Sequence, residues 1–382
     1  MEQLDFEQGP IRPPSEARSL LIRITRNCSW NKCLFCPVYK GTQFSRRSVE
    51  EIKEDIRTVK KIIDDLKAIS WRMGSRGQVD DAVITQVFQK PIHSYAYSNV
   101  AAWMYYQEYH VFLQDANNLI LPAQDLIEVL TFLRQEIPQI SRITSYARAK
   151  TVSRKSAEEL AGIKKAGLDR IHIGLESGSD AVLKLMKKGV TAAEHIEAGK
   201  KVKEAGISLS EYVMPGLGGK ALWQEHALET PRVLNAINPD FIRIRSLRTP
   251  SRVPLYQLVA EGTFQPLSDD EMVEEIRLMI DHLEGITSTI TSDHIMNLLE
   301  DVSGALPNDK GKMLGALDAY LHLSEEERLI YRFGRRGGAY RSVRDMKDMV
   351  LRKKIEKAIV DVRATHPEGI ETFLSELVDQ YI

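Results

Sequence analysis

The sequence predicts an α/β fold built from parallel β/α units, and two observations carry that prediction. Short apolar, β-branched segments recur near residues 20–25, 110–115, 142–147, 170–175, 207–214 and 241–246. Stretches of helical periodicity lie between them, and strands alternating with helices argue for parallel β/α units. A chain of 382 residues has length for two domains, yet a partial or full (β/α) barrel absorbs about 200–250 residues as one. The expectation is a partial (β/α)6 TIM-like barrel over residues 1–250, with a mostly helical C-terminal cap over 251–382.

Each element has its own grounds. Leu20-Leu21-Ile22-Arg23-Ile24-Thr25 opens the series as a strand. Ser48 is placed to cap a helix over 49–69, and Glu51 three residues on completes a capping box. Val49, Ile52, Ile56, Val59, Ile62, Ile63 and Leu66 recur along it at helical spacing. Residues 70–110 form an insert carrying Trp71, Tyr95, Tyr97, Trp103, Tyr105, Tyr106 and Tyr109, a density that suits either a cover over a substrate or ordinary helix packing. Beyond Thr249 the period turns helical over 269–283, 312–321, 325–333 and 343–364, with no Gly/Ser linker to detach these stretches as a tethered module. Among them Asp293, His294 and Asn297 follow the β-branched stretch 286–290. They are candidate catalytic residues, or else a helix cap with a satisfied histidine.

Chemistry is concentrated in one loop. Cys28, Cys33 and Cys36 are the only cysteines, and they follow the first strand directly. Active sites of (β/α) barrels are built at the C-terminal ends of the strands, where this loop leaves. Thiolates are soft ligands that select zinc, copper(I) or iron–sulfur clusters. A three-cysteine zinc site is one reading. The other is a four-iron cluster held by three cysteines, which leaves one iron open to a small molecule, as a catalytic cluster requires. A disulfide is not expected from an odd number of thiols without a secretory signal.

A strand, a cysteine-rich loop with Phe35 just before the last cysteine, and a following helix together resemble the radical S-adenosylmethionine (SAM) superfamily. The spacing departs from the family's: four residues separate the first two cysteines instead of three. Downstream segments extend the resemblance to its porphyrinogen-oxidase-like and Elongator-like branches. Asp169 to Ser179 resembles the family's fourth strand, where a glutamate, here Glu176, contacts SAM. Leu209 to Gly219 resembles the fifth, whose glycine-rich turn approaches adenine. The family's second strand ends in Gly-Gly-Glu; here the matching segment is Val111 to Asn117, and Asp115 is the candidate for the SAM ammonium.

What the resemblance implies follows. Cys28, Cys33 and Cys36 would hold a [4Fe-4S] cluster, and SAM would bind against Phe35, Asp115, Glu176, Met214 and Gly216, with Arg148 at a carboxylate on the rim. The activity expected is reductive cleavage of SAM and hydrogen abstraction from a small organic substrate, as an oxidoreductase or lyase. A reductant such as flavodoxin or ferredoxin would be a partner. The alternatives are an RNA-modifying member of the superfamily and a non-catalytic iron–sulfur or zinc protein.

Charge bears on those alternatives. Arg332, Arg335, Arg336, Arg341 and Arg344 make a local basic run, but 52 basic against 53 acidic residues leave a formal charge of −1. Nucleic-acid binding draws on a larger positive field, so a nucleic-acid partner is not expected. With no apolar run of membrane-spanning length and no targeting segment, no membrane contact and a cytoplasmic location are expected.

Overall fold

The computed structural model describes residues 4–89 and 94–379. The chain divides into two compact units, one of residues 1–31, 38–174 and 197–209, the other of residues 32–37, 175–196 and 210–382. The main strands are β1 (Leu20–Arg23), β2 (His110–Gln114), β3 (Arg142–Ala147), β4 (Arg170–Glu176), β5 (Ser208–Val213), β6 (Phe241–Ile244), β7 (Thr289–Thr291) and β8 (Gly304–Ala305). Each neighbours the next in sequence order, the strand succession of a partial (β/α) barrel.

In the first unit the pairing is parallel, with Leu20 opposite Val111, Val111 opposite Ile143 and Thr144 opposite Arg170. Leu20, Ile22, Val111, Phe112 and Leu113 are fully buried, as strands covered on both faces must be. The helix Val49–Arg72 carries the expected capping box of Ser48 and Glu51 and turns Ile52, Ile56, Val59, Ile62, Ile63 and Leu66 inward. Complete burial of each such side chain is worth about 1.5–3 kcal/mol. The aromatic insert forms two helices, Asp81–Phe88 and Tyr95–Tyr106. Its residues divide by direction. Trp103 is buried and donates to the His110 carbonyl at 2.8 Å, and the Tyr97 hydroxyl donates to Asp65. Trp71 and Tyr95 are largely exposed.

In the second unit β6 pairs parallel with β5, Ser210 opposite Phe241. β7 pairs parallel with β6, and β8 pairs antiparallel with β7. Strands β7 and β8 lie within the stretch expected to be mostly helical. Thr289-Ile290-Thr291 alternates, with Ile290 buried, and three residues are too few for a period to declare itself. The unit's helices include Gly219–Ile237, Asp269–Asp281, Lys310–Leu321, Glu325–Arg336, Met349–Thr365 and Ile370–Asp379. The expected 343–364 helix is divided at Asp348, whose carboxylate caps Val350 and Leu351 N–H and so starts a new helix.

The basic run lies largely inside this unit. Arg336 pairs two-pronged with Asp269, and Arg332 with Glu371. Arg335 pairs with Glu300 at 2.9 Å and donates to the Asn297 and Leu298 carbonyls. Burial would raise the Asp269 carboxyl, but Arg248 and Arg336 outweigh it and hold the group well below the usual carboxylate range.

Candidate cofactor site

The first unit contributes the start of the cysteine loop and what holds it. Asn27 and Asn31 stand at φ +69° and +48°, a left-handed conformation asparagine tolerates better than most residues. Their amides anchor the loop: Asn27 donates to the Gln43 carbonyl, and Asn31 to those of Tyr39 and Thr42. The Asn31 N–H points at Cys28 Sγ, 3.4 Å away.

Asp115 is fully buried beneath this loop. Its carboxylate accepts from Arg23 Nε at 2.8 Å, the Asn27 N–H at 3.1 Å and the Tyr39 hydroxyl at 2.8 Å. These donors take three of roughly four acceptor positions, so the group expected to receive an ammonium holds the loop and has about one position left. Asn117, which the sequence reading passed over, ties the same region. Its amide donates to Ser29 and Thr151 and accepts from the Arg148 N–H. The Arg148 guanidinium lies 5.0 Å over the Trp30 ring.

The second unit carries Cys33 and Cys36. Between them, Leu34 donates to the Met186 carbonyl and accepts from the Leu255 N–H. Phe35 packs on a buried cluster that includes Val182, Met186, Met214 and Leu247. Lys188 lies 5.3 Å over the Phe35 ring and donates to Glu176 Oε1 at 3.0 Å. Glu176 ends β4 at φ +63°, a position that costs of order 1–3 kcal/mol in a non-glycine residue. Gly178, two residues on, is required by space, because a Cβ there would lie 2.2 Å from the Glu229 carbonyl. Gly216 turns at φ +87° and donates its N–H to Glu275. A cavity of about 200 Å³ adjoins it, lined in part by Leu247, Arg248 and Met272.

Two buried groups here had no sequence signal, since only the packing shows what they face. His226 reaches the Ser177 hydroxyl and the Met214 carbonyl, so it joins the turns after β4 and β5. Burial pulls its pKa down to about 4 and leaves the ring neutral. Glu275 is fully buried on the Gly216 N–H, and burial pushes its carboxyl up to about 8.

The three C-terminal candidates differ among themselves. Asn297 is buried and fully engaged, with Ser246 N–H and hydroxyl on its carbonyl, and the Ile244 carbonyl and Ser292 hydroxyl on its amide. His294 accepts the Met296 N–H, and burial followed by the Arg245 charge lowers its pKa to about 4. Asp293 is half exposed, 3.8 Å from Arg243.

As a donor set, three thiols have the soft chemistry an iron–sulfur cluster takes, while among the described residues no three His, Cys, Asp or Glu side chains are gathered as a metal site. All three are half-buried thiols, and an N–H aimed at Cys28 is the kind of hydrogen bond that tunes cluster sulfur.

Residues 100–230 match the model of the radical SAM superfamily. A tRNA uridine(34) acetyltransferase of Methanocaldococcus infernus is 27% identical over 122 residues, 32% of this chain and 23% of that protein. A tRNA-2-methylthio-N(6)-dimethylallyladenosine synthase of Hahella chejuensis is 26% identical over 241 residues, 62% of this chain and 44% of that protein. Among solved structures, coproporphyrinogen III oxidase from Escherichia coli aligns over 69% of this chain and 52% of that one, at 13% identity and a TM-score of 0.43. The chain therefore spans about a quarter of the first relative and less than half of the second.

Proposed function

We propose that this chain, a radical SAM protein by the domain over residues 100–230, cleaves SAM reductively and abstracts hydrogen from a small organic substrate. The observation that carries the reading is that the three-cysteine loop lies ahead of the matched residues. The loop's three soft donors are compatible with the cofactors that the matched domain implies. Bound here, a [4Fe-4S] cluster and SAM supply the one-electron chemistry the class is defined by.

The chain's own residues do the rest. Cys28, Cys33 and Cys36 hold the cluster, and Asp115 and Asn117 fix the loop bearing Cys28. Phe35, Met214 and Gly216 form the apolar and backbone surface for adenine. Glu176 receives polar groups of SAM, with Lys188 holding its carboxylate in place, and Arg148 serves a carboxylate. Asp293 and His294 lie on the substrate side, and Asn297 positions the segment they stand on.

A small substrate is supported by the basic run, whose Arg332, Arg335 and Arg336 are buried on carboxylates of the same unit. A second reading, RNA modification, is favoured by the names of the relatives above, two of which concern tRNA. It makes the expectation against a nucleic-acid partner doubtful. Among the described residues no helix is long and apolar enough to cross a membrane.

The test is anaerobic reconstitution followed by SAM and a strong reductant, dithionite or reduced flavodoxin, with 5′-deoxyadenosine as readout. Its formation in step with bound iron supports the radical SAM reading. Stoichiometric zinc without iron uptake ends it. Stimulation by bulk tRNA, and not by a small-metabolite extract, selects the RNA-modifying reading.

A further inference from the structure

Arg243 is the least well paired buried arginine of its unit. It stands on β6 at 7% exposure. Its Nε donates to the Ser210 hydroxyl at 3.2 Å and its Nη1 to the Thr291 hydroxyl at 3.4 Å, and Phe241 lies under the guanidinium at 5.7 Å. The nearest carboxylate is Asp293, 3.8 Å away and itself 53% exposed. The other buried arginines are treated differently: Arg332, Arg335 and Arg336 each have a carboxylate oxygen at 2.8–2.9 Å. A buried charge without a close counter-ion carries a desolvation cost that its surroundings must offset. Two hydroxyls and one distant, solvated carboxylate offset it poorly.

We propose that Arg243, with the Ser210 and Thr291 hydroxyls beside it, binds the carboxylate of a small organic acid or amino acid as substrate. The assignment deepens the small-substrate reading above and rests on it. One guanidinium matches one negative charge, and Asp293 at its side would repel a doubly charged phosphate. Two hydroxyl groups that can turn donor toward an oxyanion complete the binding set. His294, next in the chain to Asp293, is neutral at ordinary pH and adds no charge of its own.

The experiment uses the reconstituted protein with SAM bound and ligand-observed NMR. The probes are propionate, glycine and L-glutamate, with acetamide, inorganic phosphate and bulk tRNA as comparisons. At least one carboxylate is expected to bind, with Arg243→Gln weakening it roughly tenfold to a hundredfold, the range for a lost charge-assisted bond, and Arg243→Lys restoring part of the loss. Failure of every carboxylate to bind, equal binding by acetamide, or equal binding in Arg243→Gln overturns the proposal. So does a preference for phosphate, or Arg243-dependent binding of tRNA. Thermal midpoints of the SAM-free protein guard against a merely structural role. Arg243→Met should leave the midpoint unchanged or higher, whereas Arg336→Met lowers it, and an equal fall in both overturns the assignment. Failure of the radical SAM reading would be seen separately, as absent iron or absent SAM binding in the wild type.

Discussion

The loop region of the first unit and the strand ends of the second spend their buried polar groups differently. Asp115 and Asn117 are fully buried, and each has three hydrogen-bond partners from its own chain. In the second unit, Glu211 on β5 and Glu275 are equally buried, yet one carboxylate oxygen of Glu275 has no hydrogen bond, and burial pushes the Glu211 carboxyl well above its usual range. Arg243 has a carboxylate only at 3.8 Å. A filled polar group is scaffold, and a buried one left short of partners is costly unless something else binds. By that measure the first unit's loop is held in advance, and the second unit keeps capacity for ligands.

Six substitutions probe that contrast, the largest effect first. Alanine at Cys28, Cys33 or Cys36 should each remove the cluster, because the sequence has no spare thiol. Iron and sulfide analysis after anaerobic reconstitution checks this, and about four irons retained by any single variant would break the ligand assignment.

Next comes a pair that separates scaffold from ligand group. Asp115→Asn should destabilise the protein by about 1–3 kcal/mol in urea unfolding and lower its iron content, since buried donors lose a charged partner. Glu176→Gln should keep its iron and weaken SAM binding by about the same 1–3 kcal/mol, read by equilibrium dialysis. Reversed outcomes, with SAM affinity following Asp115 and iron following Glu176, would exchange the two roles.

The smallest effect concerns His226. Its pKa lies near 4 in the fold against about 6.5 unfolded. Between those values the unfolded chain binds more protons, so the histidine's contribution to stability is complete above about pH 6.5 and is lost as pH falls toward 4. His226→Gln should flatten the dependence of unfolding free energy on pH in that window. An unchanged slope would mean that the ring is not held neutral.

Much of this was legible along the chain. The six expected strands appear within a few residues of their places, because each carries closely spaced apolar and β-branched residues bounded by turns. Ser48 and Glu51 announced their capping box because both partners lie within four residues. The radical SAM resemblance rested on three cysteines within nine residues and on the segments around Glu176 and Gly216, and the family model matches residues 100–230. Other features were hidden. Strands β7 and β8 are too short to show a period. The run of arginines near 332–344 looked like a basic surface until Asp269, Glu300 and Glu371 were found against it.

By itself, then, the sequence determined what depends on near neighbours: helix starts, strand runs, and a three-thiol loop with the chemistry its donors allow. Only the tertiary structure decided which polar groups are already satisfied. Asp115 meets Arg23 from 92 residues away, Arg336 meets Asp269 across 67, and Arg243 has its nearest carboxylate, Asp293, across a gap too wide for a hydrogen bond. The physical reason is that the cost of a buried charge depends on what surrounds it, and those surroundings come from distant parts of the chain.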